Sequence, residues 1–289
     1  MNKKNSILIP ILIILLFGCN RKQTESETAI NKSTNSTQIE SSEKQFLLNN
    51  HLTMAVLFHQ KSAEMRALSY QAFNLAKLML DKDLENKTIE IKRAVVVDID
   101  ETVLDNSPYE AKCILDDILY PELWNEWCNL AEAKPLPGAI DFLEYVRANG
   151  VDVFYITNRK EELREATIEN LKKYNFPLVD DTYLLMRTKC KSKELRRQKV
   201  LENHHISLLV GDNLNDFVNT FEGKSIKDCF ALTDEMQNEF GRRFILLPNA
   251  MYGEWESAMY DYNYNISDVE KSQKRFESLK GFNQQQAKK

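Results

Sequence analysis

The sequence has few cysteines and no excess of basic residues, and each shortage excludes a class of function. Five of its 289 residues are cysteine, and the formal net charge is −5. Acidic and basic residues are interspersed, so there is no clustered Lys and Arg surface for a nucleic-acid polymer, and we predict no such partner. The cysteines after Cys19 form no C-x-x-C pair and match no zinc site, and their disulfide status stays open: Cys113, Cys128, Cys190 and Cys229.

The apolar run near the N-terminus, residues 7–17, is too short for an ordinary transmembrane helix. Two lysines precede it, which is typical of a signal peptide. Its ending, Leu16-Phe17-Gly18-Cys19, resembles a bacterial lipobox, so we predict a lipoprotein signal peptide over residues 1–19 and lipidation of Cys19. An uncleaved signal anchor is the alternative. Either interpretation attaches the exported chain to the bacterial cell envelope, at the outer membrane or the cell surface.

The rest of the chain divides by composition into a tether, a folded part and a tail. Residues 20–45 are polar and almost free of large apolar groups, which predicts a flexible tether. Residues 46–275 are predicted to fold, beginning with one long helical region over 46–84 that has neither Gly nor Pro. Residues 276–289 are rich in Gln and Lys and are predicted to fray.

Strands and helices alternate through the folded part. Short β-branched or apolar runs predict strands at 93–97, 151–156, 183–186, 206–210 and 243–247. Helical patterns lie between them at 138–148, 161–174 and 192–203. This alternation indicates an α/β fold with a doubly wound parallel sheet. Residues 105–134 interrupt the alternation and are predicted to form a small inserted cap.

Polar residues gather where the predicted strands end or the next helix begins. These positions hold four carboxylates, a hydroxyl and an amine: Asp98, Asp100, Asp212, Asp216, Thr157 and Lys193. The carboxyl ends of parallel strands share one edge of a sheet, so these groups are expected to meet there. A single acid at such a place is usually a helix cap. Four acids together instead require compensation by a hard cation such as Mg²⁺, and acids with a cation and a lysine suit a phosphoryl group.

Four segments of the chain resemble motifs I to IV of the haloacid dehalogenase (HAD) superfamily: Asp98-Ile99-Asp100-Glu101-Thr102-Val103-Leu104-Asp105, Ile156-Thr157-Asn158-Arg159, Lys193, and Gly211-Asp212-Asn213-Leu214-Asn215-Asp216. More narrowly, D-x-D-E-T-x-L-D-N-S-P-Y with G-D-N-L-x-D-F is similar to the class C acid phosphatases of the lipoprotein e, 5′-nucleotidase group. The resemblance covers about residues 55–255. It implies a HAD-like, Rossmannoid core and an acid phosphatase acting on phosphomonoesters.

The resemblance also implies a role for each matching residue. Asp98 is the expected nucleophile, which forms an aspartyl-phosphate, and Asp100 is the expected proton donor and acceptor. Thr157 and Asn158 are expected at the phosphoryl group, with Lys193 neutralising its charge and Lys191 as the alternative lysine. The expected Mg²⁺ ligands are Asp98, the backbone carbonyl of Asp100, and Asp212. Asp216 is expected to act through a metal-bound water or by orienting Lys193.

Two tyrosines are expected to bind the leaving group. Members of the resembled family hold a nucleobase between an aromatic residue of the insertion and the tyrosine of an M-Y-G-like segment, which implies Tyr120 and Tyr252 here. The expected substrate is therefore a nucleoside 5′-monophosphate, while nicotinamide mononucleotide and phosphomonoesters in general also fit the sequence. None of the four histidines lies in an R-H-G motif, which disfavours histidine phosphatase chemistry.

Two alternatives remain open on the sequence. An aspartyl-phosphate can also pass its phosphoryl group to an alcohol, which would make the chain a phosphotransferase. A surface binding or adhesion lipoprotein with a vestigial site is a different class of function. The leading helix is compatible with a homodimer under any of these interpretations.

Overall fold

A parallel sheet of five strands forms the centre of the fold. The chain divides into two units, Met1–Gln45 and Phe46–Lys289, and the computed structural model describes residues 49–282. The predicted signal peptide, Cys19, the tether and residues 283–289 of the tail lie outside the described residues. Within 49–282, no helix combines the length and apolar character that a membrane crossing needs.

Seven strands and ten α-helices are found among the described residues. The strands are β1 (Lys92–Val97), β2 (Leu104–Asp105), β3 (Lys134–Pro135), β4 (Asp152–Lys160), β5 (Leu184–Arg187), β6 (His204–Gly211) and β7 (Phe244–Leu246). The helices are α1 (Thr53–Lys61), α2 (Ala63–Leu84), α3 (Ser107–Asp116), α4 (Trp124–Asn129), α5 (Ala139–Ala148), α6 (Arg164–Lys173), α7 (Glu194–Leu201), α8 (Ile226–Glu235), α9 (Glu254–Met259) and α10 (Asp268–Ser278).

The main sheet has the order β5-β4-β1-β6-β7, and every neighbouring pair in it is parallel. Alternate side chains of β1 enter two separate apolar clusters. Val95 and Val97 pack on the side of α2 and α5, while Val96 packs on the other side with Val200 of α7. Both faces are therefore covered, which explains why the strands are continuous apolar runs in the sequence. The predicted doubly wound α/β fold is confirmed.

A short antiparallel pair separates the insertion from the sheet. Strand β2 pairs with β3 through Leu104 with Pro135 and Asp105 with Lys134. Helices α3 and α4 lie between these two strands, at the positions where a cap was predicted. The pair brings the two ends of the insertion together directly after β1, so α3 begins close to the carboxyl end of the central strand.

The leading helix is interrupted, which corrects the prediction of one continuous helix. Ser62 adopts an extended conformation, with φ −84° and ψ 138°, and its side chain accepts a hydrogen bond from the backbone N–H of Met65. This is N-capping, and it starts α2 as a new helix. Ser62 is a residue type that competes for backbone hydrogen bonds, so periodicity alone could not detect the break.

Two further boundaries differ from the predictions, and three helices are additional to them. Strand β4 continues to Lys160, because its pairing with β5 resumes at Lys160–Arg187 after a register shift. Helices α8, α9 and α10 were not predicted. Because α10 continues to Ser278, the predicted start of the frayed tail at residue 276 is wrong by one turn.

Candidate active site

The side chain of Lys193 joins two acids at the carboxyl edge of the sheet. Its Nζ forms ion pairs with Asp98 Oδ1 and, at 2.6 Å, with Asp216 Oδ1. All three side chains are at most 8% exposed. Asp98 directly follows β1, and its backbone N–H donates to Val210 O of β6 at 2.9 Å. The hydrogen bonding of the sheet therefore fixes the place from which this carboxylate projects.

The loop after β6 supplies two acids held in different ways. Asp212 Oδ2 accepts a hydrogen bond from Asn249 Nδ2 at 2.8 Å, and its Oδ1 accepts one from Thr102 Oγ1 at 3.3 Å. Asp216 Oδ2 accepts from the backbone N–H of Asn213 at 3.0 Å, within a capping box. These contacts fix both side chains before any ligand is bound.

Gly211 is required by the position of Asp216. A Cβ atom on Gly211 would lie 2.5 Å from Asp216 Cβ and 2.7 Å from its Cγ. Such distances are far below van der Waals contact. Only glycine lets the last residue of β6 pass directly under the Asp216 side chain.

One group of acids within residues 49–282 is arranged to hold a cation. Asp98, Asp212 and Asp216 each offer an oxygen, and these atoms all lie within 4.8 Å of one another. Burial raises the pKa of Asp98 well above its ordinary value despite Lys193, and the neighbouring acids raise it further. Burial, then Asp216, raises the pKa of Asp212 to about 7. This crowding of hard oxygen donors fits a divalent cation such as Mg²⁺, whose charge would relieve the repulsion.

Asp216 differs from the other two acids of this group. One of its oxygens meets Lys193 and the other meets the backbone N–H of Asn213. Asp212 also has both oxygens hydrogen-bonded, but to neutral side chains, so the feature that sets Asp216 apart from it is the ion pair, which fits the predicted orientation of Lys193.

The side chain of Asp100 is held by residues outside the acid group. Arg159 Nε donates to Asp100 Oδ1 at 2.9 Å, and Arg159 Nη2 lies 2.8 Å from the same oxygen. Asn106 Nδ2 donates to it at 2.8 Å. The Arg159 side chain is fully buried, so this ion pair is screened little by solvent. Two side chains thus fix Asp100 beside Asp98. The backbone carbonyl of Asp100, and not its side chain, is the group predicted to bind Mg²⁺.

Thr157 and Asn158 lie within β4, at its register shift, and not beyond its end as predicted. Thr157 is fully buried, and its Oγ1 accepts a hydrogen bond from the backbone N–H of Arg159 at 3.0 Å. Asn158 lines the cavity, and its Oδ1 accepts from Arg196 Nη2 at 2.7 Å. Arg196 also donates to the carbonyl of Thr157, so one guanidinium holds both residues.

The two candidate lysines occupy different places. Lys193 lies at the N-terminal end of α7 between Asp98 and Asp216. Lys191 is exposed, with its Nζ 5.2 Å from the ring centroid of Tyr264. Of the two, Lys193 is the one in contact with the acid group.

A cavity of about 780 Å³ opens over these groups. Asp98, Asp100 and Lys193 line it, and so do Tyr120 and Tyr252. Tyr120 is 63% exposed and packs edge-on against Trp124 with ring centroids 5.9 Å apart. The two tyrosines predicted to bind the leaving group therefore share one cavity with the acids.

A family model described as "HAD superfamily, subfamily IIIB (Acid phosphatase)" matches residues 20–255. The chain belongs to this acid phosphatase family. It is also similar to a class C acid phosphatase from Bacillus anthracis, with 45% sequence identity and a TM-score of 0.80 over 82% of this chain and 99% of that one. A second structure of that protein, with tungstate bound, matches equally well. The suspected family and the enzyme class, a phosphoric monoester hydrolase, are confirmed.

Two plant proteins are more distant relatives of this acid phosphatase. The stem 31 kDa glycoprotein of Glycine max is 26% identical over 161 residues, which are 53% of this chain and 57% of that protein. Vegetative storage protein 1 of Arabidopsis thaliana is 28% identical over 152 residues, 50% of this chain and 55% of that protein. The chain thus spans little more than half the length of these curated relatives.

Three buried residues of the acid phosphatase site have no role among the sequence predictions. Arg159 and Asn106 hold Asp100, and Glu101 accepts a hydrogen bond from the backbone N–H of Asn106 at 2.7 Å. Burial raises the pKa of Glu101 well above its ordinary value. Glu101 and Arg159 lie within the segments that resemble the family motifs, so the sequence could have identified them as site residues. Asn106 was marked only by its place in the D-N-S-P-Y segment.

Proposed function

We propose that this acid phosphatase is a Mg²⁺-dependent phosphomonoesterase in which Asp98 attacks the phosphorus atom. The single observation that carries the proposal is the contact of Lys193 with both Asp98 and Asp216 inside a group of three acids. This arrangement places a fixed positive charge beside an anionic oxygen nucleophile. Mg²⁺, held by Asp98 and Asp212 with the Asp100 carbonyl, would neutralise charge on the phosphoryl oxygens.

The side chains divide the two chemical steps between them. A bond forms between Asp98 and phosphorus while the ester P–O bond breaks, and Asp100 gives its proton to the departing alkoxide. Asp100 then takes a proton from the water that attacks the aspartyl-phosphate, which releases phosphate and restores Asp98. Arg159 and Asn106 support this role because they hold the Asp100 carboxyl in one orientation. Lys193 balances the charge of the transferred group, and Thr157 and Asn158 contact its oxygens.

The variant Asp98→Asn tests the nucleophile. We expect it to release no phosphate from para-nitrophenyl phosphate while keeping the wild-type circular dichroism spectrum. Asp234→Asn is the matched control, because Asp234 is exposed on α8 and the substitution removes the same charge far from the predicted nucleophile in the sequence. Near-native turnover by Asp98→Asn would show that another group attacks phosphorus.

Removal of the cation tests the metal. Activity should vanish in a chelator and return with Mg²⁺, because the crowded acids of the group need a cation to ionise together. Failure of Mg²⁺ to restore turnover would reject the metal assignment. If the chain releases no phosphate with any metal or without one, that result would instead favour the binding or adhesion lipoprotein.

We infer that nucleoside 5′-monophosphates are the substrates. The cavity is large enough for more than a phosphoryl group, and its tyrosines can stack a nucleobase at about 1–3 kcal/mol per base. The tungstate in the related phosphatase is an oxyanion, as phosphate is. A phosphate-release panel over nucleotides and sugar phosphates tests the preference, and repeating it with a nucleoside acceptor separates hydrolysis from phosphotransfer.

We also infer that the enzyme is held at the bacterial cell envelope by a lipid on Cys19 and that it forms a homodimer. The lipobox-like ending at Cys19 supports the anchor. Labelled fatty acid should enter the wild-type chain and not Cys19→Ala, and the variant should leave the membrane fraction. Sedimentation of the soluble part, residues 20–289, tests the dimer.

A further inference from the structure

Helix α3 carries a second carboxyl group, that of Glu110, which lines the same cavity as Asp100. The backbone N–H of Glu110 donates to the carbonyl of Asn106 at 3.3 Å, so the two residues are one helical turn apart. Residues four apart on a helix lie on one face, with Cβ atoms roughly 5–6 Å from each other. Asn106 holds the carboxyl of Asp100, the group proposed to protonate the departing alkoxide. Glu110 therefore lies one helical turn along α3 from the residue that holds Asp100.

Glu110 is buried but has no partner among the described residues. It is 9% exposed, lines the cavity, and makes no side-chain hydrogen bond or ion pair within residues 49–282. Its neighbour Glu256 differs, because it accepts hydrogen bonds from Tyr260 Oη at 2.8 Å and from Arg275 Nη2 at 3.2 Å. No oxygen of Glu110 is among the sealed side-chain atoms that lack a partner, so its carboxyl group reaches the solvent of the cavity. It is therefore open to a hydrogen-bond donor on a bound molecule.

The surroundings of Glu110 indicate which kind of hydrogen-bond donor, an ammonium or a hydroxyl group, its carboxyl group binds. Burial, then the charge of Glu256, raises the pKa of Glu110 to about 7, so the carboxyl is neutral in acid and ionised in base. An ammonium group pairs only with the ionised form. A hydroxyl group donates and accepts, and it therefore matches both forms. Two adjacent hydroxyls can also use both oxygens of one carboxyl group.

We propose that Glu110 is a specificity-determining residue that hydrogen-bonds hydroxyl groups of the leaving alcohol, so that the preferred substrates are phosphomonoesters of a sugar with a free diol. This rests on the proposed phosphomonoesterase function. The diol can belong to the ribose of a nucleotide or to a free pentose phosphate. In either source the hydroxyls lie a few ångströms from the ester oxygen, within reach of a group one helical turn from Asn106.

The substrate series that tests the proposal removes the hydroxyls one at a time. The specificity constant kcat/KM is measured for adenosine, 2′-deoxyadenosine and 2′,3′-dideoxyadenosine 5′-monophosphates, with Mg²⁺ present. We expect the wild-type enzyme to favour the diol over the dideoxy substrate by about tenfold or more, because a hydrogen bond to a charged group is worth about that factor. Ribose 5-phosphate and 2-deoxyribose 5-phosphate form a second arm. If the enzyme prefers the diol in both arms, Glu110 recognises the diol of any pentose phosphate. If it prefers the diol among the nucleotides alone, recognition also needs the nucleobase.

Two variants of Glu110 identify the residue responsible. Glu110→Met removes the acceptor at similar volume and should reduce the diol preference to near unity. Glu110→Gln keeps one acceptor oxygen and should retain part of the diol preference. If Glu110 had a purely structural role, the two variants would not differ in this preference. Glu126→Gln is the control, since Glu126 is exposed on helix α4 of the same insertion, and its preference should equal that of the wild type.

The outcomes separate this inference from the proposed function. A wild-type enzyme that hydrolyses para-nitrophenyl phosphate but treats the three nucleotides alike overturns the role of Glu110 alone, and this holds whether or not the variants fold. An unchanged diol preference in Glu110→Met overturns it as well. A wild-type chain inactive on every phosphomonoester overturns both proposals.

Discussion

Replacing Glu110 by Gln should stabilise the protein at neutral pH. The folded protein raises the pKa of this carboxyl from 4.5 to about 7, so the folded state binds its proton more tightly than the unfolded state does. Stability is therefore greatest below the unfolded pKa and falls as the pH rises towards 7. The difference of about 2.5 pKa units is worth about 3 kcal/mol at about 1.4 kcal/mol per unit. The amide of Glu110→Gln does not titrate, so the variant avoids this loss.

Urea unfolding between pH 4.5 and 8.5, with a chelator present, measures the effect. The free energy of unfolding of Glu110→Gln minus that of the wild type should rise by about 1.4 kcal/mol per pH unit up to about pH 7 and then level off. At pH 8 the gain corresponds to roughly 6–12 °C in Tm for a folded part of this size. Glu126→Gln, which makes the same change of charge at an exposed position, is measured alongside as the control. A difference that is flat across the pH range would refute the idea that Glu110 is buried without a partner.

Three other substitutions test the site. Arg159→Lys should lower kcat by about 10–100-fold at nearly constant KM, since a lysine cannot make both N–H contacts with Asp100, and unchanged steady-state rates would reject that role. Gly211→Ala should cost about 1–3 kcal/mol in urea unfolding and also reduce kcat, because its Cβ would displace Asp216; a fully active, equally stable variant would contradict the close approach. Tyr252→Ala should lose more activity on adenosine 5′-monophosphate than on para-nitrophenyl phosphate, and equal losses would remove the stacking role.

An unpartnered acid in the cavity wall illustrates a general conflict between stability and function. A neutral residue at position 110 would make the folded protein more stable above pH 5, yet the chain keeps a carboxyl there. Asp98 and Asp212 show the same pattern, because burial and neighbouring acids raise both pKa values. Binding groups that are poised for a ligand are often destabilising without it. We therefore expect Mg²⁺ and substrate to raise Tm more in the wild type than in variants that neutralise these acids.

Local patterns were sufficient for much of the fold. Continuous apolar runs identified the strands because both faces of a parallel sheet are covered, and the residues that follow them identified the edge where the acids meet. The same patterns failed at Ser62, where one side-chain cap divides a helix that periodicity treats as continuous. They also failed for α8, α9 and α10.

The sequence by itself determined which residue types stand at the carboxyl ends of the strands, because these positions follow from chain order and strand propensity. It also determined the family, through four short motifs. Only the tertiary structure decided which of these groups touch. Arg159 reaches Asp100 across 59 positions of the chain, and Lys193 reaches Asp98 across 95. Such contacts depend on strand order and on the angle at which each loop leaves the sheet, and no local pattern encodes either. The isolation of Glu110 is likewise a property of packing, since it depends on what α9 and α10 place opposite α3.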